Sequence, residues 1–300
     1  MFDNVADKLT NYLRSAVVDF DRESFYYFAA ATVALFYLHK SMVDPETSDF
    51  LNIRRTSRGG IWYGHSGRVI LIGETLFLMR STPGFPEFCR RMAGRDLRST
   101  YFESYAARMF IEGGYQVFAR PESGVRGKDF DFQAVRDGET VNVEVTALTA
   151  PNFAPETVKN ALQQKRKQLP DTDPAIVFCI LPESWWASQS LGPPLTKIVE
   201  QFFERTRRIA AVVFVIEKHF DFEKDGPVGY LSIQHLCLSH PNPRQPVSSL
   251  DFFKTAWEHT ASATGEATQR RENEFFWWVD SIFATRKESL TAPDVPQMDD

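Results

Sequence analysis

Between Phe130 and Leu148 apolar and polar residues alternate regularly enough to define two strands. On the first, Phe130, Phe132 and Ala134 share one face and Asp129, Asp131 and Gln133 the other. On the second, Val141, Val143 and Val145 lie opposite Asn142, Glu144 and Thr146. The Asp137-Gly138 pair between them is a tight-turn signal, because Gly accepts the positive φ that a two-residue hairpin needs. The period of two therefore puts Asp131 and Glu144 on the polar sides of neighbouring strands, which can be one face of one sheet. Two carboxylates held together in a half-buried place repel each other and cost desolvation energy, and a divalent cation is the commonest remedy.

The pattern elsewhere predicts helices over 4–15 and 22–40, the second mostly buried. A short β-hairpin is expected over Ile61–Ile72, turning at Gly64–Gly67, with 74–80 either continuing it or starting a helix. The turn-rich run Ser81-Thr-Pro-Gly-Phe-Pro86 marks an internal boundary. Beyond it come helices over 87–92 and 98–112, the latter stopped by Gly113-Gly114, and a strand over 115–119. The hairpin strands, 129–136 and 141–148, follow. Then come a helix over 155–169 with Pro at its start, and the continuous apolar run Ala175–Leu181, typical of a strand covered on both faces. A helix over 195–208, strands over 209–217 and 229–238, and a helix over 268–287 complete the order. It predicts an α/β fold with a mixed central β-sheet flanked by helices and right-handed crossovers. This core occupies 86–290, behind a mostly helical extension, 1–85, whose role the pattern does not give. The Pro- and Asp-rich tail, 291–300, reads as disordered.

Composition narrows the class. With 43% hydrophobic residues and 26 Phe among 300, the chain has ample material for a large core. A net charge of −5 gives no global positive field to draw nucleic acid, so any such contact must use a local basic rim. Cys89, Cys179 and Cys237 form no CxxC, which suggests a reducing cytoplasm, and Cys179 and Cys237, in apolar runs, read as small buried hydrophobes. The first residues lack the basic region and apolar core of a signal peptide. The apolar run Phe25–Leu38 falls short of the ~20 residues of a spanning helix, which predicts a buried helix and no membrane. The six histidines show no zinc spacing. Trp185-Trp186 and Trp277-Trp278 read as packing residues rather than base-stacking platforms. No Walker loop, GxGxxG or GxSxG is present, which argues against nucleotide hydrolysis, dinucleotide redox and common serine hydrolases.

A third acid joins the pair. Glu103 neighbours the apolar stripe Phe102, Ala106, Met109 and Phe110 on the helix before the first core strand, so it can look inward to the sheet. The succession of a helix with Glu103, a strand with Asp131, a strand with Val143-Glu144-Val145-Thr146, a helix and a buried strand resembles the restriction-endonuclease-like, or PD-(D/E)xK, nuclease superfamily. It does so over residues 98–182. The resemblance implies Mg²⁺ or Mn²⁺ held by Asp131, Glu144 and Glu103, and cleavage of phosphodiesters in DNA, with RNA open, in restriction, defence or repair.

One position departs from that pattern: Thr146 stands where the family carries its catalytic lysine. A replacement is expected from the following helix, with Lys159 the first candidate and Gln163, four residues on, an orienting group. Lys128 alternates away from Asp131. Arg90, Arg91, Arg95 and Arg98 lead into the Glu103 helix, and Lys165-Arg166-Lys167 follows Glu144. Of these, Arg95, Arg98, Lys165, Arg166 and Lys167 are the candidates for gripping phosphates. The rival expectation is a nuclease-fold module silenced by Thr146 that binds nucleic acid or a partner protein. A third is a subunit that contacts a partner, or a second copy in a homodimer, through its aromatic terminal regions.

Overall fold

In a computed structural model the chain is described over residues 10, 11, 13, 22–43, 49–55, 61–121, 125, 129–186, 191–220, 230–248, 250 and 274–291. Among these, seven α-helices accompany a six-stranded mixed sheet and a small two-stranded ribbon. The ribbon pairs β1 (Ile53–Arg55) antiparallel with β2 (Ile61–Tyr63). The main sheet runs in chain order: β3 (Gln116–Ala119), β4 (Phe132–Arg136), β5 (Glu139–Ala147), β6 (Ala175–Leu181), β7 (Ile209–Phe220) and β8 (Tyr230–Ser239). The β5–β6 and β6–β7 pairs are parallel and the rest antiparallel.

The alternation sorts the strand faces except at Phe130, which was expected beside Phe132 and Ala134 but precedes β4 and packs in the opposite cluster. Phe132, Ala134, Val141, Val143, Phe178 and Val213 pack with α1 (Arg22–Leu38), α2 (Ser66–Met79), α3 (Phe85–Gly94), α4 (Leu97–Glu112) and α7 (Glu274–Thr291). Val177, Cys179, Val212 and Phe214 face the other way, onto α5 (Pro155–Arg166) and α6 (Gly192–Glu204). Strand β6 is buried at every position, as its unbroken apolar run requires. Helices α5 and α6 are the two crossovers and cover the same face, as crossovers of one hand must when the strands advance in one direction. The β4–β5 turn has φ 51° at Asp137 and 81° at Gly138, positive at both central residues.

The expected hairpin over 61–72 is corrected. Only Ile61–Tyr63 is strand, and Ser66–Met79 is helical. Val69, Ile72, Leu76 and Met79 form a stripe at helical spacing, and all are buried. Tertiary burial overrides the β-propensity of Val-Ile-Leu-Ile. Gly73 shows why α2 fits: a Cβ there would stand 2.5 Å from Ala30 Cα, so α1 and α2 meet backbone to backbone.

The turn at 81–86 divides the chain but not the core, because α1 and α2 share one apolar cluster with the sheet. A buried polar link crosses the same boundary. Arg68 on α2 donates from Nη2 to Glu217 Oε2 on β7 at 2.7 Å, Tyr101 on α4 donates to Glu217 Oε1 at 2.8 Å, and the guanidinium lies 4.0 Å from the Phe50 ring centroid. Of the tail predicted over 291–300, Thr291 instead ends α7; residues 292–300 and most of the helix predicted over 4–15 lie outside the described residues. Among the described residues no helix is long and apolar enough to cross a membrane.

Candidate active site

Strand β5 runs on past β4. The ladder pairs Phe132 with Val143 and Arg136 with Glu139. The same register carried one residue further sets Asp131 opposite Glu144. The Asp131 N–H donates to Val143 O at 3.1 Å. The next β5 donor on that side, the Val145 N–H, has no β4 residue to meet, and it donates to Asp131 Oδ2 at 2.6 Å. A short strand beside a longer one thus fixes where the Asp131 carboxylate points.

Two helices bring the remaining groups. Asp96 caps α4, accepting from the Ser99 N–H at 2.8 Å and the Ser99 hydroxyl at 2.9 Å. Seven residues beyond that cap, Glu103 meets Arg91 of α3. All three Arg91 nitrogens are engaged. Nε donates to Glu103 Oε2 at 3.0 Å, Nη1 to Arg120 O at 2.7 Å, and Nη2 to Asp131 Oδ1. Arg95 Nε lies 3.3 Å from Glu103 Oε1. From the other side Lys165 of α5 places Nζ 2.5 Å from Glu144 Oε1. Glu144 Oε2 is buried and has no hydrogen-bond partner. The three acids, Arg91, Arg95, Arg98 and Lys165 line one cavity of about 540 Å³, with Thr146 in its wall.

Burial sets the electrostatics. It pushes the Glu144 carboxyl up to about 8, helped by the neighbouring Asp131 charge and opposed by Lys165 and Arg91. Burial likewise pushes Glu103 up to about 7, again with Asp131 raising it and with Arg91 and Arg95 opposing. Burial disfavours the Arg91 cation, but the Asp131 and Glu103 carboxylates more than offset it and hold its pKa above the ordinary guanidinium value.

The positions expected from sequence divide. Asp131, Glu144 and Glu103 share the cavity. Arg95, Arg98 and Lys165 line it too. Lys159 and Gln163 are corrected. Lys159 forms an outer pair with Glu156 at 2.8 Å, and neither residue lines the cavity. Helix α5 buries Val158 and Leu162 against the sheet, and Lys159 sits one residue, about 100°, round from Val158. Lys165 continues the inward stripe 158, 162, 165, and is the lysine that reaches Glu144. Arg166 instead donates to Arg205 O at 3.3 Å and Lys167 is exposed, so both lie off the cavity. Asn142 pairs across the strands with Gln133 at 2.9 Å, one cross-strand step from the acids. Trp185 is buried and donates to Ala150 O, but Trp277 is 63% exposed and is no core residue. What the sequence reading missed is the role of Arg91 as partner of two acids. The signal was present, since Arg91 follows Phe88 by three and precedes Met92 on the buried side of α3.

The donor set can be tested against a divalent cation. Among the described residues no group of three or more His, Cys, Asp or Glu side chains is arranged to hold a metal ion. Glu103 does not fit as a ligand, because both its oxygens face arginines. Glu144 fits: it is a hard oxygen donor, and its Oε2 is a buried acceptor without a donor. Asp131 is the adjacent hard donor, but its Oδ1 meets Arg91 and its Oδ2 the Val145 N–H, so it would serve an ion only by exchanging the Arg91 contact for it. Mg²⁺ commonly takes one or two carboxylates and completes its shell with water and substrate phosphate. A second cavity of about 330 Å³, walled by Leu181, Trp186, Phe214 and Leu236, contains no acid.

Fold and site together define an α/β protein with a mixed sheet and a cavity lined by acids and basic side chains where β5 runs past β4. Comparison with family models, characterised proteins and solved structures returned no match to the chain.

Proposed function

We propose that the chain is a metal-dependent nuclease of the PD-(D/E)xK type that hydrolyses phosphodiester bonds in DNA. The observation that carries this reading is the meeting of Asp131, Glu144 and Lys165 in one cavity, from two adjacent strands and the following helix. Asp131 and Glu144 would hold Mg²⁺ or Mn²⁺. The bound ion would lower the pKa of a coordinated water and stabilise negative charge on the phosphate. Lys165 stands in for the lysine that Thr146 displaces, orienting Glu144 and presenting positive charge beside it. Glu103 serves the arginines rather than the metal: it holds Arg91 against Asp131. Cleavage of plasmid DNA with Mg²⁺ or Mn²⁺ tests the reading. Equal rates for the natural protein and Glu144→Ala would sink it.

One observation favours a second reading, a nuclease-fold module that binds without turnover. Arg91 already balances two of the three acids, which is the service a metal would perform. Calorimetric titration with Mn²⁺ separates the two, because the binding module takes up no ion at Asp131 and Glu144.

A further inference from the structure

The cavity holds four basic side chains, and three of them have acid partners. Arg91 pairs with Glu103 and Asp131, Arg95 with Glu103, and Lys165 with Glu144. Among the described residues Arg98 pairs with no carboxylate. Its Nε is buried and makes no hydrogen bond, its Nη2 lies 3.5 Å from Leu148 O, and its guanidinium sits 5.8 Å from the Phe102 ring centroid. A guanidinium with a buried, unmatched N–H is costly unless an anion meets it. Asp96, two residues away, does not do so, because it is turned into its own helix, where it accepts from Ser99. That cap also occupies the first turn of α4, so the anion seat is the side chain and not the helix end.

Position adds the chemistry. Arg98 reaches from α4 toward Leu148, four residues past Glu144 on the same chain segment, and shares the cavity with Ser99, Thr149 and Gln168, all neutral hydrogen-bonding groups. We propose that Arg98 is the residue that grips the phosphate next to the scissile one, so that the substrate strand crosses the cavity from Glu144 toward the α3–α4 corner. This rests on the nuclease reading for the word scissile, but the phosphate seat itself does not need turnover. A fork-shaped guanidinium suits a phosphodiester through paired N–H donors, and Lys would offer only a point charge.

The test is binding of a fluorescein-labelled single-stranded DNA dodecamer in EDTA, read by anisotropy over a series of salt concentrations. Arg98→Ala should weaken binding about 10-fold and reduce the slope of log K against log salt by about 0.7, the loss of one phosphate contact. Arg98→Lys should recover part of the affinity and the whole salt slope, which also guards against an Ala variant that folds poorly. Arg166→Ala, off the cavity, should change affinity much less. Natural protein and Arg98→Ala binding with the same affinity and slope would overturn the proposal. So would natural protein that cuts DNA with Mg²⁺ yet fails to hold the dodecamer in EDTA, and there the nuclease reading survives. Binding lost on Arg98→Ala in a protein that never cuts DNA upholds the phosphate seat and defeats the nuclease reading instead.

Discussion

The Lys165 ammonium on α5 stands 2.5 Å from Oε1 of Glu144 on β5, across 21 residues of sequence. The two are joined because α5 follows β5 directly and lies along its polar face. If Lys165 is the catalytic cation, Lys165→Met should slow plasmid cleavage by about 10²–10³, the usual loss for one charge-stabilising group. Lys159→Met should leave the rate within about 2-fold, since it removes only an outer pair of a kind worth little. Initial rates with Mg²⁺ at one pH decide the matter, and reversed sensitivities would return the role to Lys159.

Glu144 and Glu103 are raised from an ordinary 4.5 to about 8 and about 7. Between pH 4.5 and 8 the folded state therefore binds more protons than the unfolded chain. By linkage, their contribution to stability is present at low pH and is lost as pH rises through 7 and 8. The groups facing Glu144 are Asp131, Lys165 and Arg91. The melting temperature without metal should fall from pH 5 to pH 8.5, and Glu144→Gln should flatten that fall. Added Mn²⁺ needs the ionised carboxylates, so its stabilising effect should grow over the same range. A metal-free profile equally steep in Glu144→Gln would show that other groups control it.

Removing Arg91 leaves Glu103 and Asp131 buried without their main counter-charge. Arg91→Ala should destabilise by about 3–5 kcal/mol, the range for breaking a buried pair from one side. The loss should be larger at pH 8 than at pH 6, where Glu103 can take up a proton. Urea denaturation at the two pH values checks this. A loss below about 1 kcal/mol at both would mean that water, not Arg91, compensates the acids.

Two glycines make a contrast for the helical layer. A Cβ at Gly73 would collide with Ala30 backbone, while one at Gly94 meets nothing within 4 Å. Gly73→Ala should cost at least about 1–3 kcal/mol through overpacking, whereas Gly94→Ala should be neutral or stabilising by up to about 1 kcal/mol. Similar midpoints for both variants in urea would mean that α1 and α2 are less tightly apposed than their backbones indicate.

Local chemistry made the β4–β5 hairpin legible: the Asp-Gly turn and the period of two are short-range signals, and the register that sets Asp131 opposite Glu144 follows from them. The apolar run of β6 was equally plain. The helix over Ser66–Met79 was not, because Val-Ile-Leu-Ile has strand propensity and only the packing of α1 shows that the segment must be helical. Choosing Lys159 over Lys165 was a failure of phase rather than of residue type. The lysine that reaches Glu144 continues the apolar stripe begun by Val158 and Leu162, and a charge on a buried stripe is itself the signal. Arg91 shows the same lesson, a cation beside Phe88 and Met92 where solvent would be the ordinary neighbour.

The Arg68–Glu217 link has a practical bearing on any attempt to pare the protein down. A fragment beginning at the turn near residue 81 would keep every acid and base of the cavity, yet it would strip β7 of the guanidinium that meets Glu217. The truncated piece should precipitate or melt early. A minimal working unit must therefore be sought by trimming elsewhere, with the first helices retained.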